Sequence, residues 1–383
     1  MDAELTASRV GRSAPRSDGA LGVFADPGLS GLFLLIVAFA FSVHAAFRGL
    51  QSDLDALAYA EWYAQVSNLS AEAFWAGLQE SNIYFQGNLF FSFETGFAVL
   101  TFLLSRVSSS VEFFFFAVTF ISLALKFWAL KKMRLPLFWM LVWYFSWYYL
   151  LLEMTSIRAG LAASIVMAGV AVMRTGGGVW RACLWFLVAV TCHVSAALAF
   201  VVPLIHWRPL GRRGLIVLAS LGIALSFASL LPLIELAGTF SPKLAEYYQI
   251  YTEVGFYTEL NRFNVVLILR LALLLFVLIQ LTRRQNADPN FRFAASLYVL
   301  PIFCFHAFAS FPLVAGRVYE FLGVLQVLFI GWCSAYLARP ALLKAFVALV
   351  SAAQFGILVF HVQFVDFFYF IGEPYKIETE HRR

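Results

Sequence analysis

Runs of roughly twenty apolar residues return along almost the whole chain, and they constrain its fold more than any other feature. The clearest are Gly31–Phe47, Val111–Leu130, Leu135–Leu152, Ala159–Met173, Leu215–Leu236, Asn264–Leu281, Phe293–Phe311 and Ala345–Val362. Backbone placed in hydrocarbon must bond its own N–H and C=O groups, so each run reads as a helix. A membrane β-barrel would alternate apolar and polar residues, and these runs do not. The expected fold is all-α: a polytopic integral membrane protein of about nine to eleven transmembrane or re-entrant helices. Only 13% of the 383 residues are charged, against about 25% in soluble domains. The net charge of +5 therefore bears on orientation in the bilayer and not on nucleic acid.

The basic residues set the expected order of crossings. Residues 1–28 carry Arg9, Arg12 and Arg16 and read as a disordered cytoplasmic tail. Residues 29–363 form a single transmembrane domain. Within it, residues 49–110 carry Asp53, Asp55, Glu61 and Glu72 among aromatics and read as periplasmic or interfacial. Lys131, Lys132 and Arg134 belong in the cytoplasm, which holds only if the short run Phe93–Leu104 does not cross. The stretch Ala182–Ile205 is one span by length. Yet Arg174 and Arg181 precede it and Arg208, Arg212 and Arg213 follow it, so the charges favour a hairpin with its apex near Cys192-His193-Val-Ser195. A second periplasmic segment, 237–263, is rich in Tyr and Glu, and 364–383 reads as a periplasmic tail.

This order brings Arg158, His193, Arg262 and Arg317 to one side, with Asp55, Tyr59, Glu94 and Glu153. Arg270 lies about two turns into its helix in the same half of the bilayer. A charge beside hydrocarbon costs several kcal/mol without a partner or a function. Arginine forks match phosphate oxygens and stay charged at any working pH. No Walker loop or dinucleotide fingerprint is present, so energy would come from a substrate already activated as a lipid diphosphate. Each residue also has a plainer role. Arg158 and Arg317 could snorkel to headgroups, and Arg270 could pair with a structural carboxylate. His193 could be a packed polar residue. Ser195 does not share a helical face with it. Tyr248, Tyr251 and Arg262 suit a carbohydrate surface or an interfacial aromatic belt equally. The cysteines Cys183, Cys192, Cys304 and Cys333 sit inside apolar runs. Neither they nor His44, His206 and His361 have metal-ligand spacing, so no metal and no cofactor is expected.

Five short motifs occur in order: Asp55-Ala-Leu-Ala-Tyr59, Glu94-Thr-Gly-Phe97, Ile157-Arg158-Ala-Gly-Leu-Ala162, His193-Val-Ser195-Ala and Arg317-Val-Tyr319. Together they resemble the EpsG family, which is related to Wzy-type polysaccharide polymerases. Ala159 stands where that family often has Gln, and Thr95 where it often has Pro. The resemblance implies an enzyme of the bacterial inner membrane, its active site facing the periplasm. It would join undecaprenyl-diphosphate-linked repeat units of an exopolysaccharide or O-antigen, with a lipid-linked donor and acceptor as substrates and a flippase and a chain-length regulator as partners. Arg158, His193 and Arg317 would be catalytic, and Asp55, Tyr59, Glu94 and Tyr319 would bind substrate. The residue pattern itself adds Glu153 to the catalytic set and Tyr248, Tyr251, Arg262 and Arg270 to the substrate-binding set. A transporter of the same lipid and an acyltransferase acting on surface glycans are the competing expectations.

Overall fold

The structure is a computed structural model that describes residues 27–48, 54–79, 94–228, 261–336 and 340–358. Tyr248, Tyr251 and the tail 364–383 lie outside the described residues. Every described element is helical. The first half comprises α1 (Pro27–Ala46), α2 (Leu54–Asn68), α3 (Ala71–Gln79), α4 (Thr95–Ser105) and α5 (Val111–Lys132). Next, α6 (Leu137–Trp143) runs into a π-helix (Tyr144–Thr155), followed by α7 (Ile157–Val172) and α8 (Gly178–Cys192). A 3₁₀ segment (Val194–Phe200) leads into α9 (Val201–Trp207) and α10 (Arg212–Leu225). The last group is α11 (Val265–Gln280), α12 (Arg283–Ala287), α13 (Pro289–Ala307), α14 (Pro312–Gly323), α15 (Gln326–Tyr336) and α16 (Pro340–Gly356).

Four stretches are long and apolar enough to cross a bilayer: Val111–Lys132, Leu137–Thr155, Ile157–Cys192 and Val314–Ala335. Gly31–Ala46, Val265–Gln280 and Ala341–Gly356 are apolar but shorter. The protein is embedded in the membrane. The axis of the bundle is α7, which is buried on nearly every side and packed between α5 and α8. Its Ala159, Gly160, Ala162, Ala163, Ser164, Ala168 and Gly169 are small, which lets neighbouring backbones approach closely.

Two irregular pieces matter for the site. The eleven-residue α4 covers about 16 Å, half the hydrocarbon thickness. The stretch 178–207 breaks at His193, whose backbone is extended (φ −161°, ψ 124°). Past it the chain folds back. Phe186 and Phe200 meet ring to ring at 5.8 Å, whereas a straight helix would hold them about 21 Å apart. At the open end, Arg174 Nη1 lies 3.2 Å from His206 Nδ1. The segment is therefore a helical hairpin with His193 at its apex.

Candidate functional site

Four local features deliver polar groups to one place. On α2, Asp55 and Tyr59 are one turn apart and share a face. At the start of α4, Glu94 occupies the capping position, but its side chain makes no cap bond. The π-helix ends at Ser156 (φ −95°, ψ 64°), which puts Arg158 in the first turn of α7. The hairpin apex presents His193 and the Val194 N–H, which the break frees from helical bonding.

Glu94 is the hub. Its Oε2 accepts from Arg158 Nη1 at 2.6 Å. Its Oε1 lies 3.2 Å from His193 Nδ1 and accepts the Val194 N–H at 3.0 Å. Burial pushes this carboxyl up, but the His193 bond, the Arg158 charge and the Val194 N–H outweigh it and hold the group down to about 2. Arg158 Nε also donates to the Tyr59 hydroxyl at 3.2 Å. One turn away on α2, Asp55 Oδ2 accepts from Arg317 Nη2 at 3.1 Å. Ser156 Oγ accepts from Arg317 and lies 3.4 Å from Asp55 Oδ2. Two arginine–carboxylate pairs thus sit side by side, joined by α2 and by the Ser156–Arg158 turn. Arg317 is the more open, with 40% of its side chain exposed against 17% for Arg158.

One glycine makes this assembly possible. A Cβ on Gly96 would overlap the Thr191 side chain, so only glycine lets α4 cross α8 closely enough for Glu94 to reach His193. A profile of the EpsG family matches residues 31–372, nearly the whole chain.

The chain belongs to the EpsG family.

It is a family of Wzy-like polymerases, and this member is membrane-embedded and all-helical among the described residues, as the sequence implies. No curated protein and no solved structure matches the chain significantly.

Asp55, Tyr59, Glu94, Arg158, His193 and Arg317 come together in this EpsG-family protein. Other expected residues do not join them. Glu153, expected at the external face, is instead fully buried. Its Oε1 accepts from Lys126 Nζ at 2.6 Å, Tyr144 OH at 2.6 Å and Ser122 Oγ at 3.0 Å. Lys126 also donates to the Gly160 carbonyl at 2.7 Å, so this pair ties the π-helix and α5 to α7. Arg270 is fully buried as well, not open to the outer half of the bilayer. It donates to Tyr148 OH at 2.7 Å and to Gln326 Oε1 at 2.9 Å. The Trp143, Trp147, Tyr148 and Tyr319 rings surround it, their centroids 5.0–5.5 Å from its Cζ. Tyr319 belongs to this box, and Arg270 has no carboxylate partner among the described residues. Arg262 is exposed and lies 5.4 Å from the Phe227 ring.

Sequence reasoning missed Ser156, Lys126 and Glu320. A serine between apolar runs carries no signal by itself. Lys126 lies inside the apolar run Val111–Leu130, where a single cation is lost among the residues of a span. Glu320, three residues after Arg317 on α14, lies near enough for its charge to act on that guanidinium; the spacing that places two side chains on one helical face is visible in the sequence.

Proposed function

We propose that this protein is a polysaccharide polymerase of the bacterial inner membrane. It would join undecaprenyl-diphosphate-linked units at the periplasmic face, in partnership with a flippase and a chain-length regulator. Membership of a Wzy-like family supports the class. The observation that carries the site is the convergence of Arg158 and Arg317 through Ser156 and α2. Two planar forks can take a diphosphate's oxygens and stabilise it as a leaving group.

In this reading a hydroxyl of the incoming unit attacks the anomeric carbon of the growing chain. The new C–O bond forms as the bond to the diphosphate breaks, and the electron pair departs with the phosphate. His193 takes the hydroxyl proton. With Nδ1–H given to Glu94, its Nε2 is the nitrogen left to accept one, and Glu94 positions the ring. Glu153 has no part in this step, because Lys126 and Tyr144 occupy it. Asp55 and Glu94 keep the arginines neutralised until substrate arrives, and the diphosphate takes their place on the guanidinium groups.

Purified protein in proteoliposomes, given lipid-linked units, tests the reading. Elongated glycan with release of undecaprenyl diphosphate is the expected result. Movement of the lipid between leaflets without elongation would identify a transporter. Acyl transfer at constant chain length would identify an acyltransferase.

A further inference from the structure

The far end of α7 and α8 carries a second polar feature that the proposed polymerase chemistry does not use. A cavity of about 460 Å³ is lined by Lys132, Val172, Thr175, Gly176, Gly177, Arg181, Leu184 and Trp185. It lies where α7 ends and α8 begins. The sixteen-residue α7 separates it from Arg158 by about 24 Å. No acidic residue lines it. Lys132 and Arg181 are both exposed, and neither has an ion-pair partner among the described residues. Lys132 Nζ rests 4.9 Å from the Trp128 ring, and that indole stacks on Trp185 at 6.3 Å. Running away from the cavity, α8 exposes Trp180, Leu184, Leu187 and Val188, which fall on one helical face.

We propose that this cavity seats the phosphate of an anionic phospholipid, drawn from the leaflet opposite the Arg158 cluster. Lys132 and Arg181 hold the headgroup phosphate, and the Trp128–Trp185 stack fixes the lysine stem at headgroup depth. The acyl chains lie along the exposed α8 face. A free phosphate ion matches the cations but not the apolar stripe, so the occupant is a lipid.

The test is native mass spectrometry of the full chain. The protein is released from micelles that hold equal amounts of phosphatidylglycerol and phosphatidylcholine. Phosphatidylglycerol should be retained preferentially. Each cation near an anionic headgroup contributes enough that K132Q/R181Q should weaken this preference by roughly ten- to thirty-fold. R212Q/R213Q removes the same charge from the same end of the molecule and should leave the preference intact. An unchanged preference in K132Q/R181Q overturns the proposal, as does an equal loss in both double variants. If inorganic phosphate displaces the lipid completely, the site takes free phosphate and the lipid assignment falls. A second readout does not depend on those variants. Phosphatidylglycerol with brominated chains should quench the protein's fluorescence more than brominated phosphatidylcholine does, and Trp185→Phe should remove part of the difference. Equal quenching by the two lipids would overturn the proposal.

Discussion

Arg158 and Arg317 hold a carboxylate apiece, yet they should not tolerate lysine. A lysine can pair with Glu94 or Asp55 as a point charge, but it cannot present a planar fork to two phosphate oxygens. Arg158→Lys should therefore insert normally and accumulate single lipid-linked units. Polymerisation should fall by roughly 10²–10³-fold, the loss typical of one charge-assisted contact to a leaving group. Arg317→Lys should behave likewise. Assay at matched membrane levels checks both, and near-normal polymer from Arg158→Lys would return that residue to a structural role. Glu94 offers a pH test. Its folded value of about 2 lies below its ordinary 4.5. Its ionised form therefore stabilises the fold above about pH 4.5, and that contribution fades as the pH drops toward 2. Glu94→Gln should lower the melting temperature at neutral pH and flatten its fall across that acid window. The same acid slope in the variant would contradict the Glu94 network. These residues were legible because polar groups between apolar runs are costly to place. Glu153 misled because spacing along the chain does not report depth. Its partner Lys126 comes from inside another run, 27 residues earlier.

At the scale of elements, the site depends on helices too irregular to be simple spans. The break at His193 could be anticipated, because basic residues on both sides of 182–205 cannot both be inside unless the chain turns back. The π-helix Tyr144–Thr155 could not, because an i→i+5 pattern leaves no distinct apolar period in a run that is apolar throughout. Two substitutions probe how these pieces lock together. Gly96→Ala puts a Cβ into Thr191 and should push α4 off α8, parting Glu94 from His193. Polymer yield should fall much more than protein level, and equal falls would make Gly96 a folding residue only. Lys126→Met leaves the Glu153 carboxylate buried without its cation, which typically costs about 3–5 kcal/mol. Lys126→Met combined with Glu153→Leu removes both charges and should recover much of the lost thermal stability. A double variant as unstable as the single would mean that the pair does not act as a unit.

At the scale of the whole molecule, α5 and α7 set a polarity. Arg158 lies in the first turn of α7, which ends beside the Lys132 cavity, and Lys132 is the last residue of α5. Single cysteines at positions 55 and 132 should therefore react with impermeant thiol reagents from opposite sides of the membrane. Labelling of both from one side would sink this orientation. The fold-back at His193 also has a bookkeeping consequence for sidedness. Because Arg174 and His206 meet, the hairpin returns the chain to the face it left, and it adds nothing to the parity of crossings. A reporter fused after Arg208 should read the same compartment as one fused after Thr175. Deleting the entire segment between them should leave every downstream helix with its orientation unchanged, even though it removes the histidine on which the proposed chemistry depends.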